Sequence, residues 1–322
     1  MKIGIVGAGN MGNLHASLLK TRSDVEFMGV TDIDYERCKS FCETHGGRAF
    51  RSVAEMVQAG TEVVFVTIPN TKHKEAVVSA LKEGATVFCE KPFVTSLQDA
   101  DEIMNVLGDD ENRLYVGFNR RFAPVYAETK QIIQNGFKIY SGNIIMNDGD
   151  MTSPPWVTNV ELTGGFLYDS TIHMFDMVRY LMGEIREVRC VSQQCLYPLH
   201  DNFSCMFTTE EGQSIVLSTN GHASWTWPSE RIQLWGDHGT IITEELDLVT
   251  ECGPLKQEQQ TKNVRGIDRN LKWGYVQMHK DFLDSVKHKT TFSVSANDAY
   301  RSVLITDACY RSASEGGKLI YV

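Results

Sequence analysis

Over the first third of the chain, short apolar runs alternate with stretches whose apolar positions recur every three or four residues. Ile3, Ile5 and Val6 form the first run. Residues 25–31, Ala49-Phe50, and 62–67, 86–89 and 114–117 continue the series. Between them lie helical periods: Met11, Leu14 and Leu18, then Cys38, Phe41 and Cys42, then Ala76, Val77, Ala80 and Leu81, and finally Leu97, Ala100, Ile103, Met104 and Leu107. Asp34 stands where a helix cap belongs, and Ser52 with Glu55 and Ser96 with Asp99 have capping-box spacing. Strands separated by helices predict right-handed βαβ units and a parallel sheet, with ligands held at the carboxyl ends of its strands. Those ends carry Gly7, Asp32, Ile68-Pro69-Asn70, Glu90-Lys91-Pro92 and Phe118-Asn119-Arg120, so the pattern gathers them along one edge.

Past residue 118 the texture changes. A helix is expected over 124–135, with Pro124 in its first turn and Gly136 after it. Strand-like runs follow at 138–146, 187–197, 202–209, 213–220, 231–235 and 240–244, some joined by tight turns such as Gly236-Asp237-His238-Gly239. Closely spaced strands with short turns predict an antiparallel sheet, interrupted by helices at 169–182 and 273–287 and closed by one at 297–314. Residues 251–272, polar and aperiodic, read as a surface loop. The expected architecture is an α/β domain over 1–118 and an α+β domain with an antiparallel sheet over 119–322.

Composition narrows the partners. The chain has 322 residues, 42% of them apolar, which suits two domains with substantial cores. A formal charge of −10 argues against nucleic acid or an anionic membrane as the main partner. No run approaches a membrane span, and the apolar start is broken by glycines and Asn10, unlike a secretory signal. The eight cysteines show neither a C-x-x-C pair nor zinc-ligand spacing. Free thiols in a reducing compartment, and hence a cytoplasmic protein without a metal site, are the expectation.

The first strand breaks at Gly7-Ala8-Gly9-Asn10-Met11-Gly12, a G-x-G-x-x-G. One glycine permits the turn, the second lets a pyrophosphate approach the backbone, and the third lets helix and strand pack closely. The helix N-terminus then faces the phosphates. Asp32 ends the second strand twenty residues past Gly12, where a carboxylate would bind the adenosine ribose and favour NAD over NADP; the same residue could equally cap a helix. A second informative stretch is 164–183, where Asp169 and His173 stand four apart, with Asp176 further along. On one helix face such a carboxylate orients an imidazole for acid–base work, although surface pairs and caps share the spacing. Lys91, at the cofactor edge, either is solvated or donates to a substrate oxygen on which charge develops.

The sequence resembles the Gfo/Idh/MocA oxidoreductase family. The resemblance runs through GAGNMGNLHA at 7–16, TDID at 31–34, IPNTKH at 68–73, EKP at 90–92, GFNRRF at 117–122, GGFLYDSTIH at 164–173 and GDHGTI at 236–241. It implies an α/β NAD(P)-binding Rossmann domain followed by an α+β domain with a large, mostly antiparallel sheet, whose open face commonly forms a homodimer or homotetramer interface. It further implies Lys91 as the catalytic lysine, His173 as general acid/base and Asp169 as its assistant. Gly7, Gly9, Asn10, Met11, Gly12, Asp32, Ile68, Pro69, Asn70, His73 and Glu90 would line the cofactor. Asn119 and Arg120 would stand at its nicotinamide and substrate side. His15 reads as packing or capping, and His279 carries no motif support. Trp156 and the segment Trp225-Thr226-Trp227-Pro228 are candidate sugar-stacking positions, against the commoner fate of tryptophan in a core. The implied activity interconverts a secondary alcohol and a ketone on a cyclic polyol or sugar, with NAD or NADP as cofactor. Two rivals remain open: a protein that senses NAD(P) without turnover, and a sugar–sugar oxidoreductase with permanently bound cofactor.

Overall fold

The computed structural model describes residues 1–225, 229–253 and 259–322. The chain divides into two compact units, residues 1–117 with 279–300, and residues 118–278 with 301–322.

In the first unit, β1 (Lys2–Val6), α1 (Asn10–Leu19), β2 (Glu26–Thr31), α2 (Tyr35–His45), β3 (Arg48–Phe50), α3 (Val53–Gln58) and β4 (Val63–Val66) follow in turn. Then come α4 (His73–Lys82), β5 (Thr86–Cys89), α5 (Leu97–Leu107) and β6 (Leu114–Val116). The strands pair in parallel in the order β3-β2-β1-β4-β5-β6, so the order reverses beside β1 and opens a crevice at the carboxyl edge there. The apolar run Val63-Val64-Phe65-Val66 has every side chain buried, as a central strand covered on both faces requires. The helix starts follow the local chemistry: Asp34 accepts from Arg37 N–H, Ser52 from Glu55 N–H and Ser96 from Asp99 N–H.

The second unit holds α6 (Pro124–Gln134), β7 (Ser141–Asn147), α7 (Val160–Thr163), α8 (Ile172–Met182), β8 (Ile185–Gln193), β9 (Asn202–Thr209) and β10 (Ser214–Asn220). They are followed by β11 (Glu230–Gly236), β12 (Gly239–Glu244), β13 (Leu248–Cys252), β14 (Gln259–Asn263) and α9 (Arg269–Lys272). The long helices α10 (Tyr275–His288) and α11 (Ala296–Ser314) and the short β15 (Ile320–Tyr321) complete the chain. Among the described residues nine strands form one sheet, β14-β13-β12-β11-β7-β10-β9-β8-β15, antiparallel except where β10 meets β7. One face is apolar, with Phe203 edge-on to Tyr310 of α11 and Phe207 edge-on to Phe175 of α8. The other exposes Val191, Met206, Val216 and Trp235.

The compact units divide between residues 117 and 118, and residues 279–300 pack with the first. The cause is aromatic packing: the Phe282 ring lies 5.0 Å from Tyr115 and 5.4 Å from Phe88, and Phe292 lies 5.5 Å from Tyr115. The expected loop over 251–272 contains β14 and α9. Every residue of β14 is exposed, so this edge strand has no alternation to betray it and exists by pairing with β13. Finally, three of the scattered cysteines meet. Cys190 and Cys205 face each other across β8 and β9 with sulfurs 2.8 Å apart, and Cys309 of α11 joins them. Hydrogen bonding from Cys205 and Cys309 draws the pKa of the Cys190 thiol down, while burial raises that of Cys309.

Candidate active site

The glycine turn assigns a separate task to each glycine. Gly7 has φ +107°, and a Cβ there would lie 2.8 Å from Thr67 O. Its N–H donates to Thr31 O, and the Thr67 hydroxyl donates to Val6 O and Gly7 O. A Cβ at Gly12 would lie 2.0 Å from Gly7 O, so helix α1 reaches the strand only without a side chain. Around Gly9 no heavy atom would come within 4 Å of a Cβ. Gly9 therefore borders a cradle at the N-terminus of α1, next to Asn10 and Met11, and these residues fit a dinucleotide pyrophosphate. Asp32 is fixed against the turn: Oδ2 accepts from Ala8 N–H at 2.8 Å and Oδ1 from Asp34 N–H at 3.0 Å. Arg37 stands 3.9 Å away, and the neighbouring Ile33 side chain is fully exposed.

The loops after β4 and β5 are tied to each other. Ile68 and Pro69 are half-buried and Asn70 is buried at the start of a single 3-10 turn. His73 is fully buried, one ring nitrogen 2.7 Å from Pro92 O and the other 2.8 Å from Ile68 O. Burial lowers its pKa, against two carbonyls that favour the charged form. Glu90 is buried, and its Oε2 accepts weakly from Lys91 N–H at 3.3 Å. Lys91 itself is half-buried and joined to Pro92 by a cis peptide bond. His15, read from sequence as packing or capping, instead bonds Glu90 Oε1 through Nε2 at 2.8 Å. Its Nδ1 lies 2.6 Å from Nε2 of His279.

In the second unit, Asp169 does not lie on a regular α-helix. Residues 167–171 form a π-helical turn that leads into α8, so Asp169 and His173 are spaced by a wider turn than the sequence reading assumed. The turn is pinned from outside: Leu167 N–H donates to the Tyr310 hydroxyl at 3.0 Å, and a Cβ on Gly165 would lie 2.5 Å from that oxygen. Asp169 is half-buried, and His173 is buried with its ring edge-on to Phe118 at 6.4 Å. Asp176 lies wholly inside, paired in two hydrogen bonds with Arg121 at 2.8 and 2.6 Å.

Arg120 and Asn119 are both engaged within the second unit. The Arg120 guanidinium is buried against Glu230, with Nε 3.0 Å from Oε2, and stacks 4.5 Å from the Trp273 ring. Asn119 donates to Trp273 O at 2.8 Å. These bonds hold the start of the second unit to the segment before α10. Trp156 and Trp225 are exposed, at 40% and 60%; Thr226, Trp227 and Pro228 lie outside the described residues. Tyr310, His279 and Glu230 are the contributors that sequence reasoning missed, and none lies near the motif it serves.

Fold and site together define a two-unit oxidoreductase with a dinucleotide turn. Residues 1–118 match the description "oxidoreductase family, NAD-binding Rossmann fold", and residues 137–320 match that family's C-terminal alpha/beta domain. The myo-inositol 2-dehydrogenase of Thermotoga maritima is 27% identical over 98% of this chain and 97% of that protein. The glucose-6-phosphate 3-dehydrogenase of Bacillus subtilis is 36% identical over 56% of this chain and 53% of that protein. A levoglucosan dehydrogenase solved with NADH and levoglucosan superposes with a TM-score of 0.90 at 20% identity, covering 100% of this chain and 99% of that one, a likeness of fold. The chain belongs to the Gfo/Idh/MocA oxidoreductase family, and its N-terminal unit is the NAD-binding Rossmann domain. Among the described residues no helix is long and apolar enough to cross a membrane.

Proposed function

We propose that the protein is an NAD-dependent dehydrogenase interconverting a secondary alcohol and a ketone on a cyclic polyol or sugar. The observation that carries this reading is Lys91. It is a half-buried cation at the carboxyl end of β5, on the same sheet edge as the glycine turn, in a loop braced by His73 and Glu90. Bound nicotinamide supplies the hydride acceptor. Lys91 donates a hydrogen bond to the reacting oxygen and stabilises its developing charge. The His173 imidazole takes the hydroxyl proton, and Asp169 orients the imidazole or the substrate. Asp32, held by Ala8 N–H, leaves carboxylate lone pairs for the ribose hydroxyls and disfavours a 2′-phosphate. Exposed Ile33 offers an apolar face beside it for adenine. The relatives named for inositol and for glucose 6-phosphate support a cyclic hydroxylated substrate. We assign the open sheet face bearing Val191, Met206, Val216 and Trp235 to self-association.

The test is turnover of NAD with a panel of inositols and sugars. Lys91→Met and His173→Ala should each lower kcat by about a hundredfold or more on the substrate that the native enzyme turns over. Near-native rates in both variants would reject the assignment. NAD binding with no turnover across the panel would favour a sensor, and nicotinamide retained through dialysis would favour a permanently bound cofactor.

A further inference from the structure

His15, His279 and Glu90 form a buried polar chain in the aromatic interior of the first unit. Their exposures are 0%, 4% and 7%. The His15 ring lies 5.4 Å from Phe65 and 5.2 Å from Phe88, and His279 lies 5.3 Å from Phe65. Such a space accepts apolar side chains readily, so three titratable groups there call for a reason.

Proton counting gives the chain a direction. An ionised carboxylate only accepts, so His15 Nε2 carries the hydrogen shared with Glu90 Oε1 at 2.8 Å. A neutral His15 then presents a lone pair at Nδ1, and His279 Nε2, 2.6 Å away, must be the donor. That leaves His279 Nδ1 as a bare acceptor, buried and without a hydrogen-bond partner. Adding a proton would charge the pair and place an N–H among phenyl rings. Burial, followed by the nearby His15 and Arg22, lowers the pKa of His279 well below the imidazole value. A neutral His279 that donates toward His15 is therefore the stable arrangement, and the order of donors ends on Glu90.

Glu90 passes this order to its neighbour. Its second oxygen accepts from Lys91 N–H at 3.3 Å. A Cβ on Gly117 would lie 3.3 Å from the carboxyl carbon and from Oε1, so the absence of a side chain at 117 leaves the carboxylate its place. We infer that His15 and His279 are positioning residues for Lys91: by donating in sequence toward Glu90 they hold its carboxylate in one orientation, and so set the backbone from which Lys91 reaches the reacting oxygen. This inference rests on the catalytic role proposed for Lys91, but the order of the chain can be read without turnover.

The experiment uses the full chain with histidine labelled at its ring nitrogens, together with His279→Phe, which fills the space without a donor, and His279→Gln, which restores an amide donor. Ring-nitrogen shifts should show His279 as the neutral Nε2–H tautomer and His15 hydrogen-bonded at both nitrogens. The rate at which an amine-specific reagent modifies Lys91, read by peptide mass spectrometry, should change in His279→Phe and return in His279→Gln. With myo-inositol as probe, His279→Phe should lower kcat by about tenfold at little change in KM for NAD, the size expected when a catalytic group is slightly misplaced. A His279 that is charged or carries its hydrogen on Nδ1 would overturn the inference. So would a His279→Phe enzyme with native Lys91 reactivity, or a folded His279→Gln enzyme as impaired as His279→Phe. If the native protein turns over no polyol, the proposed function fails while ring shifts and Lys91 reactivity still decide the relay. If His279→Phe does not fold, the ring shifts of the native protein decide it.

Discussion

Gly9 and Gly12 sit three residues apart in one turn, yet alanine should harm the protein differently at each. Gly9 caps α1 with φ −84° and ψ −165°, extended backbone open to any residue, and a Cβ there meets no heavy atom within 4 Å. Losing glycine at the cap costs about 1 kcal/mol. The stiffer unfolded chain returns about 0.4–1 kcal/mol, so folding stability should barely move. The methyl group instead occupies space that a pyrophosphate needs. Forced into a fitted contact it should cost about 1–3 kcal/mol, which raises Kd for NAD by roughly fivefold to a hundredfold or more. At Gly12 the same methyl lies 2.0 Å from the Gly7 carbonyl oxygen, roughly 1.5 Å short of a comfortable contact. Backbone must move there, so Gly12→Ala should lose folding stability as well as the cofactor. Urea unfolding without NAD and calorimetric titration with NAD separate the two effects. A Gly9→Ala protein that binds NAD as the native one does would refute the cradle. A Gly12→Ala protein of native stability would refute the close approach of helix and strand.

Asp32→Asn keeps an acceptor for Ala8 N–H but removes the charge, so the kcat/KM preference for NAD over NADP should fall by about tenfold; a native enzyme that already prefers NADP would end that reasoning. Arg121→Met should cost about 3–5 kcal/mol in urea unfolding because it strands the buried Asp176 carboxylate, while Arg121→Met with Asp176→Leu should recover most of it. A single variant costing under about 1 kcal/mol would contradict this. His73 and His279 both have lowered pKa values through burial. Above about pH 6.5 they are neutral in both states; below it only the unfolded chain takes up their protons, so stability should fall on acidification by up to about 1.4 kcal/mol per pH unit for each. His279→Phe should make that slope shallower, and stability rising as pH drops from 6.5 to 5.5 would reverse the sign.

What could be read from the sequence was what is local. The capping serines at 52 and 96 satisfy N–H groups three residues away, and Gly7 and Gly12 are required by backbone within the same turn or the adjacent strand end. The parallel pairing of the first sheet follows from strands alternating with helices, whereas the cover that Phe282 and Phe292 give to β5 and β6 comes from far along the chain. β14 was invisible for the opposite reason: Gln259–Asn263 exposes both faces, so nothing in its residue pattern records that a ladder exists. The π-helical turn at Asp169 was equally hidden, since the hydroxyl that pins it belongs to Tyr310, 143 residues further on. His279 reaches His15 across 264 residues, and no window of sequence contains both.

Arg120 and Arg121 show how burial settles what a guanidinium holds. The resemblance implies Arg120 at the nicotinamide and substrate side, where a solvated guanidinium would be free to turn toward a ligand. Buried ones are not. A guanidinium out of water needs a carboxylate with matching geometry, and each of these has its own: Glu230 for Arg120 and Asp176 for Arg121. Tyr126 adds a hydroxyl 2.5 Å from Glu230, which leaves that carboxylate little freedom to trade partners. The pair therefore fixes two distant elements to the short turn that opens the second unit, one of them α8, which carries His173. Burial, which decides what each guanidinium holds, is set by residues 55 and 110 positions away, beyond the reach of the motif.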